Sequence, residues 1–453
     1  MTDVIRSNVA MTDIGSVLGS LQGLKAELPA GQQAVIDELL RAARVSETTP
    51  PQYNPYLPGV HIDPYPYQRR LQLENPVHYS RTIGAWVLSR YADVGAALRD
   101  PRLSSRVALD TVMASVPVGE HDTIRTVSAF MSSGLNQLEG DEHTRMRRIM
   151  THAMSAETMA RMQPFVEQAV HELLDAVDAN GAMDLVHDFA RPLPVYAAAA
   201  LLGIPRTDRE TVAGWVEAIM NTFSDGFSGT TAMQRGEAAV PQLLDYLRDL
   251  VRERRLCPGE DVITAMLASG TEAEDDIVHI AAHFPIGMHE NIRHGISVGM
   301  LSLLLAPGEV ERLQADPALI PVAVEEMLRF DGVVPFLTRL TLEEIEIGGV
   351  TIRKGQRVVL LLAAANRDPS KFAEPHRFDA GRRPNQHIAF GAGRHACTGA
   401  SLTRSIWGAA VRALLTRLPG LRLGAIGPTW CEEFNIRGLE SLPVRFAARR
   451  AVA

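Results

Sequence analysis

The stretch from Ile277 to Leu305, about 29 residues, reads as one long and largely apolar helix. At about 1.5 Å per residue such an element is long enough to run through the middle of a domain. A helix apolar around most of its circumference has to be covered on all sides, so the rest of the chain is expected to wrap it. It does not read as a membrane span. The longest charge-free apolar runs, such as Val358 to Ala365, fall far short of the roughly 20 residues that a bilayer requires.

The flanking sequence supplies the wrapping. From Glu139 to about Ser269 the pattern is helical almost throughout, with turn-sized breaks at Gly181, Gly203-Ile204-Pro205 and Cys257-Pro258-Gly259. Upstream, Pro76 to Tyr79 and Ala85 to Leu88 predict a small hairpin, and Tyr91 to Leu98 a helix. Leucine and valine spacing predicts two short helices over residues 14–44, broken at Leu28-Pro29-Ala30-Gly31, and a Pro-rich linker or extended wrap follows from Thr48 to Tyr67. After Arg329 the texture changes to short strands around Ile345 to Val350 and Arg357 to Leu360. A Pro- and Gly-rich meander then leads to a final helix from Gly399 to Leu418. The expected fold is mainly α with small β-sheets, a shape able to bury a large flat cofactor. Residues 1–50 form an N-terminal helical extension and 51–453 the catalytic domain in this reading.

Three cysteines, Cys257, Cys397 and Cys431, are too few and too scattered for a disulfide framework, which points to a reducing compartment with a thiol available for chemistry. The N-terminus, MTDVIRSNVA, has no apolar core of a signal peptide, so a cytoplasmic location and no membrane partner are expected. The net charge of −8, with no dominant basic block, argues against nucleic acid as a partner.

The sharpest chemical signal is Phe390-Gly391-Ala392-Gly393-Arg394-His395-Ala396-Cys397-Thr398-Gly399. A thiolate bound to iron needs a tight loop that shields it and offers backbone N–H groups. Glycines at 391, 393 and 399 let the backbone close around the sulfur, and a helix starting after Cys397 turns its positive end toward that charge. A buried inert cysteine beside a glycine turn is the plainer alternative for Cys397 taken by itself.

This loop resembles the haem-binding loop of the cytochrome P450 family, F-x-x-G-x-x-x-C-x-G. Glu326-Met327-Leu328-Arg329 is similar to the family's E-x-x-R element and Pro375-His376-Arg377-Phe378 to its P-x-R-F element. The resemblance spans roughly residues 60 to 446, is closest to the soluble bacterial type, and implies haem b (iron protoporphyrin IX) lying between a helical core and the cysteine loop. It implies Cys397 as the metal ligand, with Phe390, Gly391 and Gly399 around the cofactor, and a buried network of Glu326, Arg329 and Arg377 locking the loop to the core. Asp141 to Arg147 resembles the family's E-H-T-R-x-R motif, so His143 and Arg147, one helical turn apart, are expected to bind a haem propionate, with Arg339 and His395 at the other propionate positions.

The long helix departs from the family's A-G-x-[D/E]-T-T element. In Phe284-Pro285-Ile286-Gly287-Met288-His289-Glu290-Asn291, Glu290 aligns with the acid, but Met288 replaces the glycine and Asn291 the threonine. Glu290 and Asn291 are the catalytic candidates, and His283, Gly287 and Met288 the candidate substrate wall. The loop from Val107 to Leu138 and the segment Met220 to Met233, which looks like a mobile lid, are further substrate contacts. Three readings stay open for Asn291: its amide substitutes for the hydroxyl in oxygen activation, the substrate supplies the missing group, or the enzyme performs oxidative coupling, peroxide-driven oxidation or rearrangement instead. Pro285 predicts a kink.

By resemblance the chain is a monooxygenase that activates dioxygen to hydroxylate or epoxidise a small organic substrate of secondary metabolism. Its electron donor is a ferredoxin or flavodoxin docking near Arg145, Arg148 and Arg394. The rival classes are a haem sensor without turnover, for which no second ligand or signalling domain is visible, and a cysteine hydrolase using Cys397 and His395. The latter two are too close on one tight loop to make a nucleophile–base pair.

Overall fold

The computed structural model describes residues 50–57, 59–106, 118–177, 179–224, 230–270, 273–432 and 435–448. The expected helices over 14–44 lie outside this set, as do 107–117 and 225–229 of the two expected substrate loops.

The long apolar run is a single helix of 32 residues, Glu274–Leu305, hereafter the central helix. It starts one turn earlier than the apolar pattern, because Glu274, Asp275 and Asp276 sit favourably at the positive end of the helix dipole. Its helical assignment continues without a break through Pro285. Helices Leu193–Leu201, Thr230–Leu256, Ile320–Phe330 and Ala400–Arg417 pack directly against it. Close approach needs small residues at the crossings. A Cβ on Gly295 would fall 1.9 Å from Cζ2 of Trp407, and one on Gly299 would fall 3.2 Å from Met327. The apolar side chains of this bundle merge into one core that includes Ile277, Ile292, Ile296, Met300, Met327, Ile406 and Trp407.

The predicted hairpin forms Val77–Ser80 against Ala85–Leu88, paired from Val77↔Leu88 to Ser80↔Ala85. It extends into a five-stranded sheet through a parallel pairing with Arg357–Leu360, then Leu337–Thr341 and Leu103–Ser104. The expected strand around Ile345 to Val350 is a hairpin of its own, Ile345–Ile347 with Val350–Ile352. Its turn, Gly348-Gly349, has φ of +59° and +80°, values that only glycine adopts without strain. One expected break was more than a turn. Behind Gly181, Ala182–Asp184 is a strand that pairs with Pro443–Arg445, a partner too distant in sequence for any local pattern to reveal.

Candidate functional site

The cysteine loop is built as the glycine pattern requires. Gly391 and Gly393 have φ of +67° and +72°. Gly393 also lies so close to the helix Tyr91–Ala97 that a Cβ would fall 2.6 Å from the Leu98 carbonyl oxygen. The turn is closed by the Cys397 N–H, which donates to the Phe390 carbonyl at 2.9 Å, and by the Ala396 N–H, which donates to Gly393 at 3.1 Å. Helix Ala400–Arg417 begins directly behind it, with Gly399 as its N-terminal cap position. The Cys397 side chain is exposed. The surrounding protein nonetheless pushes its thiol pKa up by desolvation, opposed by a backbone hydrogen bond from Gly399 and by the charges of Arg147 and Arg404. Such a thiol is neutral until a cation arrives, and a metal bound at the sulfur deprotonates it outright.

Around the loop lies a set of buried cationic or proton-donating groups short of partners. His143, on helix Gly140–Ala153, is buried, and its Nε2 has no hydrogen-bond partner. His395 packs against it with ring centroids 4.5 Å apart, and its Nδ1 is likewise unpartnered. His395 Nε2 faces Ser105 Oγ at 3.2 Å and Glu139 at 3.6 Å, which fixes the ring and leaves Nδ1 aimed elsewhere. Burial holds both imidazoles below their ordinary pKa, His395 down to about 4. Arg339, on strand Leu337–Thr341, is buried with a 2.9 Å bond to the Thr338 carbonyl. Burying a guanidinium and two imidazoles side by side is costly unless an anion completes the site. Arg147 is placed differently, with Nη1 donating to the Ala396 carbonyl at 2.9 Å, so it braces the peptide next to the cysteine.

Glu326 and Arg329 form a fully buried pair at 2.7 Å, as expected from their spacing on helix Ile320–Phe330. Arg377 does not join them. Its side chain is exposed and pairs with Glu374 at 3.1 Å. Only its backbone carbonyl lies in the network, accepting from Arg329 at 3.5 Å and from Arg382 at 2.9 Å. The third charged group is Arg382, whose Nε donates to Glu326 at 3.0 Å while its Nη groups bind the carbonyls of Ala373, Glu374 and Arg377. Arg382 went unrecognised in the sequence, although it follows Phe378 in the same meander. The path of that meander past the helix decides which arginine turns inward.

On the central helix, only Gly287 and Asn291 are exposed between Ile277 and Leu303. They lie one turn apart, Asn291 Nδ2 donates to the Gly287 carbonyl at 2.9 Å, and a Cβ on Gly287 would meet nothing within 4 Å. This strip faces open space. His283, one turn earlier, stacks on Phe130 at 4.2 Å and sits between the carbonyls of His279 and Phe130. Met288, expected on the substrate wall, is instead part of the apolar core, because it lies about 100° around the helix from Gly287. Glu290 also turns away from Asn291. Its carboxylate accepts from His289 at 2.7 Å and His294 at 2.6 Å, and these bonds hold its pKa well below the carboxylate range despite burial.

Sequence comparison fits this geometry. The family model described as Cytochrome P450 matches residues 275–418. The biotin biosynthesis cytochrome P450 of Bacillus subtilis is 33% identical over 390 residues, 85% of this chain and 96% of that relative. The 6-deoxyerythronolide B hydroxylase of Saccharopolyspora erythraea is 34% identical over 398 residues, again 85% of this chain and 96% of the relative. This chain belongs to the cytochrome P450 family.

Among solved structures, that of P450BioI in complex with hexadec-9Z-enoic acid-ligated acyl carrier protein superposes with a TM-score of 0.76 at 32% identity, covering 86% of this chain and all of that one. The cofactor of this P450 is accordingly a haem iron, and the enzyme is a monooxygenase of small organic molecules. The donor set fits that group, since a haem brings two carboxylates, and the unpartnered His143 Nε2, His395 Nδ1 and buried Arg339 are the groups that would receive them. Glu139 is a further contributor that the sequence did not disclose. Placed just before helix Gly140–Ala153, it receives Ser104 and the Ser105 N–H at 3.0 Å and holds both His395 and Arg394.

Proposed function

We propose that this P450 hydroxylates or epoxidises a small substrate of secondary metabolism, of polyketide, peptide or terpenoid type, using haem b held through Cys397 Sγ. The observation that carries this reading is an accessible thiol on a glycine-closed loop beside buried imidazoles whose outward nitrogens lack partners. When bound, the haem would supply dioxygen activation, with the thiolate as the electron-rich donor.

The chain's own residues do the rest. Cys397 Sγ would hold the iron, and Arg147 fixes the Ala396 peptide beside it. His143, His395 and Arg339 would hold the propionates, with Glu139 orienting His395. Phe390, Gly391 and Gly399 shape the loop against the cofactor. Asn291 has one amide N–H committed to Gly287, which leaves its carbonyl oxygen and second N–H to position water at the open strip. An amide does not pass a proton by hydroxyl rotation, so its part is to orient rather than to relay. Glu290, committed to two histidines, keeps the helix charge fixed behind that strip. Gly287 and His283 border the substrate side. The 6-deoxyerythronolide B hydroxylase and the acyl-carrier complex among the relatives favour a carbon-rich chain or ring as substrate.

Electrons arrive from a ferredoxin or flavodoxin at the depression that Arg148, His152 and Arg394 line together with His143 and Arg147. Arg145 contributes less there, because it is paired with Asp276 at 2.7 Å. Residues 51–453 act as the catalytic unit with 1–50 as an extension, working in the cytoplasm. Among the described residues no helix is long and apolar enough to cross a membrane.

The deciding measurement is the absorption spectrum of the reduced, carbon monoxide-bound protein. The native protein is expected to give the thiolate-type band and Cys397→Ser to lose it. A Cys397→Ser protein with an unaltered spectrum overturns the assignment.

A further inference from the structure

Behind the cysteine loop, Arg404 and His387 lie near the ring of Phe390, and Glu325 ties the two together. Arg404, on helix Ala400–Arg417, places its guanidinium carbon 4.7 Å from the Phe390 ring centroid. Its Nε and Nη2 donate to the two oxygens of Glu325 at 2.6 Å and 2.9 Å, a two-pronged geometry that fixes where the charge sits. His387 completes the group. Its Nδ1 accepts the Ala389 N–H at 3.2 Å, so Nε2 carries the proton and donates to Glu325 at 3.1 Å. The imidazole is 6.0 Å from the Phe390 ring, and its neutral form satisfies both bonds. The Phe390 carbonyl is the acceptor of the Cys397 N–H, so the residue that closes the sulfur's turn has both a guanidinium and an imidazole near its ring.

Glu325 and Glu326 are neighbours on helix Ile320–Phe330 and face different ways. Glu326 points into the buried network that fixes the meander, whereas Glu325 is partly exposed and faces the cysteine helix. An ion pair as exposed as Arg404–Glu325 contributes little to stability. It does set a cation against Phe390, the residue whose carbonyl closes the cysteine's turn, and holds the opposite charge of Glu325 on the far side of Arg404's own hydrogen bonds.

We propose that Arg404, anchored by Glu325 and His387, is a positioning residue that sets the reduction potential of the iron held by Cys397. This rests on Cys397 being the axial ligand. Reduction adds one electron to the iron–sulfur unit, and a nearby fixed cation stabilises the more negative state. Arg404 therefore raises the potential, and Glu325 tempers it. The two charges act with opposite sign although they belong to one salt bridge, which a purely structural pair would not do.

The experiment is an equilibrium redox titration of the purified holoenzyme with dithionite and mediator dyes, without any protein partner, alongside the ferrous–carbon monoxide spectrum and the melting temperature. Arg404→Gln is expected to shift the ferrous-to-ferric ratio at fixed potential about tenfold toward ferric, about 59 mV downward for a one-electron couple. Glu325→Gln is expected to shift it upward, the double variant to return near the native value, and Arg404→Lys to stay near it. Should Arg404→Gln bind haem poorly, the direction of the Glu325→Gln shift still decides the sign, with Arg404→Lys as the charge-retaining control. Shifts of the same direction in both single variants, or no shift with the thiolate-type spectrum intact, overturn the proposal. Loss of that spectrum in the native protein defeats the Cys397 ligation itself and is read separately.

Discussion

Replacing Arg382 with alanine should damage this protein far more than replacing Arg377, although Arg377 is the arginine that the P-x-R-F element picks out. Glu326 is fully buried and accepts from Arg329 at 2.7 Å and 2.8 Å, from Arg382 and the Asp379 N–H at 3.0 Å, and from Asn385 at 3.2 Å. Arg382 is itself only 10% exposed and also ties three carbonyls of the meander to the helix end. Removing one partner of a buried charge cluster costs about 3–5 kcal/mol. Because Arg329 and two N–H donors stay on the carboxylate, the lower end applies, about 3 kcal/mol. Arg377 and Glu374 are 63% and 69% exposed, and such pairs contribute at most about 1 kcal/mol. The assay is urea unfolding followed by haem absorbance and by far-UV circular dichroism, with slopes compared so that midpoints report stability. Equal losses for the two variants, or a neutral Arg382→Ala, would refute the assignment of the network.

Gly393→Ala should cost at least about 1–2 kcal/mol from the left-handed backbone alone, with the 2.6 Å approach to Leu98 added, and should lower haem content per mole of purified protein. Burial holds His283 near a pKa of about 4, below its ordinary 6.5. The unfolded chain therefore binds the proton that the fold refuses, so its contribution is fully present above about pH 6.5 and is lost as pH falls toward 4. His283→Gln should flatten that part of the stability–pH curve, and an unchanged slope would count against it. Asn291→Ala should raise the peroxide released per product formed, measured against reductant consumed, and an unchanged ratio removes Asn291 from oxygen handling.

Much of this was legible in the sequence because the relevant constraints are local. Gly391 and Gly393 lie in a turn whose positive φ angles call for glycine, and His143 was picked out by resemblance to a helix motif. The hairpin Val77–Ser80/Ala85–Leu88 and the central helix followed from period and turn chemistry over short windows. What was not legible depends on contacts between distant segments. Strand Ala182–Asp184 exists because Pro443–Arg445 pairs with it. Arg377 and Arg382 stand in one irregular meander, and nothing in their own residues says which will point at Glu326.

The central helix shows the sharper limit. A sequence motif places Glu290 and Asn291 side by side, and adjacency in a string suggests cooperation at one spot. A helix turns about 100° per residue, so neighbours in sequence face different surroundings. Asn291 shares its face with Gly287, one turn back, while Glu290 shares its face with His294, one turn on. The i+4 partner, not the next letter, decides what each side chain meets. His294 is buried against Gly438, where a Cβ would fall 2.1 Å from its Nδ1, so that imidazole cannot swing aside to free the carboxylate. On the proposed role of Asn291 in orienting water, Asn291 rather than Glu290 is therefore the position at which substitution should change coupling most.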